Sequence, residues 1–109
     1  MSVFVQVIDG TYGRPAAGVA VRLERDVEGV WTEQKRDLTG DDGNIVRLCD
    51  GKLARGIYRL EFDVDSYFSS LGIAPFCPTV AMKFRMSDPA QLHRISLIIT
   101  PSAYFAYQH

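Results

Sequence analysis

Residues 56–72 read GIYRLEFDVDSYFSSLG, and two periods meet inside them. Through Asp65 the pattern repeats every second residue, with Ile57, Leu60 or Phe62 set against Arg59, Glu61 and Asp63 and an irregularity at Tyr58. A period of two predicts a half-buried strand, because successive side chains leave a strand on opposite faces. After Asp65 the spacing changes. Tyr67, Phe68 and Leu71 fall at helical intervals, Asp65 is placed to cap a short helix, and Gly72 is placed to stop it.

Outward from this segment the period of two returns on both sides. Downstream, TVAMKFRM (79–86), RISLIIT (94–100) and AYFAYQ (103–108) read as strands, after a bent IAPFCP segment with two prolines. Upstream, IVRLCDG (45–51) reads as a short strand behind GDDGN (40–44), whose Asp-Gly pair suits a tight turn. VWTEQKRDLT (30–39) and VAVRLERDVEG (19–29) stand at hairpin distance across Glu28-Gly29, with Val19, Val21 and Leu23 on one face and Arg22 and Glu24 on the other. GTYGRPAAG (10–18) is a turn-rich connection. SVFVQVID (2–9) alternates Val3, Val5 and Val7 against Ser2, Phe4 and Gln6. About eight strands and one short helix predict an all-β fold, an antiparallel sandwich formed by residues 1–109 as a single domain.

Bulk composition narrows the function classes. Twelve basic and thirteen acidic residues leave a formal charge of −1, which gives no electrostatic footprint for nucleic acid or an anionic membrane. No signal peptide and no membrane-length apolar run is read. Cys49 and Cys77 lack the spacing of a metal or redox pair and read as free thiols in a reducing compartment, hence a cytoplasmic location. GDDGN lacks the spaced ligands of a calcium loop and reads as a hairpin turn. His93 and His109 are the only histidines, and no nucleophile, zinc or phosphate-loop signature is present.

Several segments together carry a family resemblance. GRPAAGVAVRLER (13–25) preceded by QVIDGTY, LTGDDGN (38–44), GIYRLEFDVDSYFSSLG, PFCPTVAMKF (75–84) and RISLIITPSAYFAYQ (94–108) resemble, in order and along the whole chain, the transthyretin and 5-hydroxyisourate hydrolase family. The resemblance implies a transthyretin-like β-sandwich of two four-stranded sheets with one short helix. It also implies a homotetramer, in which edge strands pair into dimers and the dimers pack around a central channel, with TPSAYFAYQH (100–109) at a subunit interface.

It further implies a site, at which this chain differs from the hydrolases. They open a cyclic ureide by water attack on a ring carbonyl, using a His on the first strand, an Arg after the Asp-Gly turn, a His on the penultimate strand and a Tyr-Arg-Gly-Ser tail. Here those places hold Gln6, Asn44, Arg94 (with His93 one residue away) and Tyr107-Gln108-His109. Gln6 hydrogen-bonds but is no base near neutral pH. Asn44 donates without charge, and Arg94 supplies a cation. His109 can restore an imidazole. The expected catalytic set is therefore His109, Arg94 and Gln6, with Asn44, Tyr107, Gln108 and Phe105 holding a small-molecule ligand and no metal or other cofactor. The expected activity is hydrolysis or rearrangement of a purine-derived or similar cyclic amide; the alternative is a non-catalytic binding protein for a small aromatic ligand.

Overall fold

The computed structural model describes residues 3–49 and 53–109. In chain order the elements are β1 (Val3–Asp9), β2 (Arg14–Pro15), β3 (Ala20–Val27), β4 (Val30–Leu38), β5 (Asn44–Ile45), β6 (Gly56–Asp63), α1 (Val64–Ser69), β7 (Thr79–Met86), β8 (His93–Ile99) and β9 (Tyr104–Gln108). They form two sheets, one ordered β4-β3-β6-β7 and the other β2-β1-β8-β9 with β5 also paired to β1. Since β8 occupies one edge of β1, the two-residue strands β2 and β5 share the other edge end to end. The second sheet therefore holds five strands but is four strands wide.

Alternation in the sequence becomes the core directly. Val3, Val5 and Val7 of β1, Val21 and Leu23 of β3, Tyr58, Leu60 and Phe62 of β6, and Ile95, Leu97 and Ile99 of β8 are buried between the sheets. Shortening a side chain in such a core costs about 2–5 kcal/mol, because the cavity left behind only partly collapses. The β3–β4 hairpin turns at Glu28 and Gly29, whose φ values of 53° and 84° match the twist of the strands they join. On the outer face of that sheet Glu24 accepts from Arg59 Nε at 2.9 Å, and Arg22 pairs with Glu61.

Four local expectations change. Tyr58, not Ile57, heads the buried row of β6, because Tyr58, Leu60 and Phe62 are the residues at period two. The helix starts two residues earlier than expected, at Val64, and its cap is Asp63: Oδ1 accepts the Ser66 N–H at 3.1 Å and Oδ2 the Ser66 hydroxyl at 2.7 Å. Asp65 instead lies in the first turn. Gly72 does close the helix, at φ +76°, with its N–H to Ser69 O and that of Ile73 to Phe68 O. Ladder pairing in IVRLCDG is limited to Ile45, with one further backbone bond to β1 from the Leu48 N–H to Val3 O at 2.9 Å; Asp50 and Gly51, like Ser2, lie outside the described residues.

The fourth change is of direction. β1 and β8 run parallel over Val3–Asp9 and His93–Ile99, in an otherwise antiparallel fold. No hairpin joins them, so nothing in the local chain imposes the antiparallel sense.

Candidate functional site

Parallel pairing of β1 with β8 decides which side chains share the outer face of the five-stranded sheet. Odd residues of β1 enter the core, so Phe4, Gln6 and Ile8 face outward. The register pairs Phe4 with Arg94, Gln6 with Ser96 and Ile8 with Ile98. On the other flank β9 sets Tyr107 against Ser96 and Phe105 against Ile98, while β5 sets Asn44 against Gln6. Side chains directly opposite in neighbouring strands share a face. A polar row Asn44–Gln6–Ser96–Tyr107 therefore crosses four strands, roughly 14 Å at the usual strand spacing. Arg94 and Phe4 flank it on one side; Ile8, Ile98 and Phe105 flank it on the other.

Each member of the row is held by local structure. Thr39 is buried, takes the Val19 N–H at 2.9 Å and donates to Ala16 O at 2.6 Å. It thereby ties the β2–β3 connection to the start of the Gly40–Asn44 turn. In that turn Gly43, at φ +78°, accepts the Val7 N–H at 2.8 Å, and Asp42 Oδ1 accepts the Asn44 N–H at 2.9 Å. A Cβ on Gly43 would stand 2.5 Å from Val7 O, so only glycine brings the turn this close to β1. At the far side, Thr100 Oγ1 accepts the N–H groups of Ser102 and Ala103 and sets the turn into β9.

The polar contacts of the row centre on Ser96, whose exposure is 0 %. Its hydroxyl donates to Gln6 Oε1 at 3.4 Å and lies 2.8 Å from His109 Nε2. His109 is fixed a second time by its backbone N–H, which donates to Arg94 O at 3.0 Å. Its ring lies 5.5 Å from that of Tyr107, which lies 5.5 Å from that of Phe105. The Arg94 guanidinium sits 5.1 Å from the centre of the Phe4 ring and has no carboxylate partner among the described residues. Asn44 Oδ1 is buried without a hydrogen-bond partner.

The structure thus brings together Gln6, Asn44, Arg94, Phe105, Tyr107 and His109 from the expected set. Gln108 does not join them. It stands opposite Ile95, whose side chain enters the core, so alternation turns Gln108 to the other face of β9. His93 is buried on the core side, with Nε2 3.4 Å from Asp88 O, leaving Arg94 as the outward residue. Ser96 is the residue that sequence reasoning missed. Its only sequence signal is a polar residue two after Arg94 in an apolar strand, on the same face.

A separate groove of about 830 Å³ lies along the other sheet, lined by Arg22, Arg36, Asp37, Glu61, Asp63 and Asp65 among others. It contains none of the residues above, and several of its charges pair with one another or cap α1, so the site is assigned to the five-stranded sheet. Among the described residues no three His, Cys, Asp or Glu side chains converge to hold a metal ion, and no helix is long and apolar enough to cross a membrane. Cys49 and Cys77 are both free.

Comparison with known proteins gives a consistent result. A family model described as Transthyretin, the HIUase/Transthyretin family, matches residues 3–109. The chain is 34% identical to a 5-hydroxyisourate hydrolase of Halalkalibacterium halodurans, over 97% of this chain and 95% of that one. It is 35% identical to that of Caulobacter vibrioides, over 94% and 92%, and 31% identical to that of Salmonella dublin, over 95% and 77%.

Proposed function

The chain belongs to the HIUase/transthyretin family, and from that premise we propose that it hydrolyses or rearranges a purine-derived or similar cyclic amide on the outer face of the five-stranded sheet. The observation that carries this reading is the 2.8 Å contact between Ser96 Oγ and His109 Nε2. It fixes an imidazole beside Gln6 and Arg94, while the other histidine, His93, is buried on the core side. In this reading His109 takes a proton from the attacking water, and a general base of this kind contributes roughly 10²–10⁴ in rate. Arg94 stabilises the oxyanion formed at the ring carbonyl. Gln6 and Asn44 hydrogen-bond the carbonyl and N–H groups of the ring, while Tyr107 and Phe105 cover its flat face. No metal or other cofactor takes part.

Assembly belongs to the same proposal. Strand β9 is an edge strand, and Tyr104, Phe105 and Tyr107 are exposed along it, Phe105 by 62% and Tyr107 by 37%. An apolar edge is a template for further pairing, so the chain assembles as a homotetramer with this face turned to a shared channel. Sedimentation at micromolar concentration should give four times the chain mass.

The same exposed aromatics favour a second reading, a non-catalytic channel for a small aromatic ligand. One experiment separates the two. Freshly generated 5-hydroxyisourate is mixed with the protein or with His109→Ala, and its ultraviolet absorbance is followed. Decay above the spontaneous rate that depends on His109 supports catalysis. Decay at the spontaneous rate with both proteins removes the plain hydrolase reading, and saturable binding of an aromatic probe without turnover then supports the second.

A further inference from the structure

We propose that Ser96 is the positioning residue of this site: its buried hydroxyl accepts the proton of His109 Nε2, so that Nδ1 is the nitrogen left open to take a proton. The inference deepens the catalytic reading and rests on it for its consequence in rate, but not for its structural content.

The argument is one of donors and acceptors. A serine hydroxyl has one proton and two lone pairs, and a side-chain amide oxygen only accepts. Ser96 Oγ lies between Gln6 Oε1 at 3.4 Å and His109 Nε2 at 2.8 Å. With its proton directed to Gln6, the hydroxyl meets Nε2 through a lone pair, and Nε2 must carry the N–H. A neutral imidazole has a single N–H, so the lone pair falls on Nδ1, which has no hydrogen-bond partner among the described residues. The hydroxyl bond and the backbone bond to Arg94 O hold His109 at two points. Because Ser96 has no exposed surface, it touches no substrate and acts only through the imidazole. The order Gln6–Ser96–His109 also gives Gln6 a role it could not have as a base: it fixes the direction of the serine proton.

The test is nuclear magnetic resonance on protein labelled with ¹⁵N-histidine, at a pH where the imidazoles are neutral. The wild-type chain should show a His109 N–H on Nε2 that is protected from solvent exchange. Ser96→Ala should lose that protection, with the buried His93 signals unchanged as an internal control for folding. Gln6→Met removes the acceptor, frees the serine proton to turn toward Nε2, and should move the His109 proton to Nδ1. A wild-type proton on Nδ1, or a protected Nε2 proton that survives Ser96→Ala, overturns the proposal.

Kinetics with freshly generated 5-hydroxyisourate add an independent arm. Ser96→Ala should lower kcat on the order of tenfold to a hundredfold, the effect of a displaced catalytic group, with KM changed less than about twofold. A wild-type protein without turnover but with the protected Nε2 proton would sink the catalytic reading and leave the Ser96 assignment standing.

Discussion

Gln6 of β1 and Asn44 of β5 stand opposite each other in an antiparallel pair only two residues long, and the buried Oδ1 of Asn44 finds no partner there. An unpaired buried acceptor costs about 1–3 kcal/mol. A ring N–H supplied by a ligand would recover that loss. Asn44→Ala should therefore raise KM about tenfold and leave kcat nearly unchanged, the pattern of a contact made equally in ground and transition states. Steady-state kinetics, or titration of a non-reacting cyclic amide, reads it directly. An unaltered KM would remove Asn44 from the ligand site.

Gln6, Asn44 and Arg94, three of the differences from the hydrolase pattern, lie on one face, so they can be reversed together. Gln6→His, Asn44→Arg and Arg94→His in one chain restores the residue types that the family resemblance assigns to these places. We expect this triple variant to open 5-hydroxyisourate at least about a hundredfold faster than the parent, the scale of one well-placed general base. Each single change should give much less, because catalytic groups that act as a unit are not additive. A triple variant no faster than its parent would mean that the backbone of this face has itself diverged.

Gly43 controls the same face through the backbone. Its φ of +78° and the 2.5 Å approach of a virtual Cβ to Val7 O leave no room for a side chain. Gly43→Ala should destabilise the fold by about 2–3 kcal/mol and displace Asn44. Gly13→Ala, at a similar φ but with open space around it, should cost less. Urea unfolding of the two variants gives the comparison.

Tyr67 links α1 to the end of β1, donating its hydroxyl to the buried Asp9 at 2.7 Å. Burial, and then this hydrogen bond, raise its phenol above the ordinary value of 10.0. Burial also raises Tyr58. Because both folded-state values exceed the unfolded one, the stabilisation is complete below about pH 10 and is lost as pH climbs through the folded-state values. Urea unfolding from pH 8 to 11 should show that decline, with a shallower slope in Tyr67→Phe. At neutral pH the same variant should cost about 1–2 kcal/mol, since Asp9 loses one of its donors. An identical alkaline slope in the two proteins would remove Tyr67 as a contributor.

How far the sequence could be read depended on the range of the interaction. The period of two located β1, β3, β7 and β8 to within a residue or two and identified Val3, Val5 and Val7 as a core row. The family resemblance singled out Gln6, Asn44 and Arg94, and the structure then turned Arg94 outward and buried His93. Near element ends the reading slipped: the cap moved from Asp65 to Asp63, because a residue caps only where the chain geometry turns its carboxylate back onto the first N–H groups.

What the sequence determined by itself was therefore local: alternation, the change of period at 66–72, the turn glycines and the polar residue types in the family positions. Those follow from backbone geometry and side-chain chemistry within a few residues. Only the tertiary structure decided which residues meet. Parallel pairing of β1 with β8, strands separated by more than eighty residues, set Gln6 beside Ser96. The antiparallel register of β9 then brought His109 to the same hydroxyl and turned Gln108 away. A shift of one residue in either register would reverse every side chain of the strand. That choice is made by the packing of the whole core rather than by any segment alone.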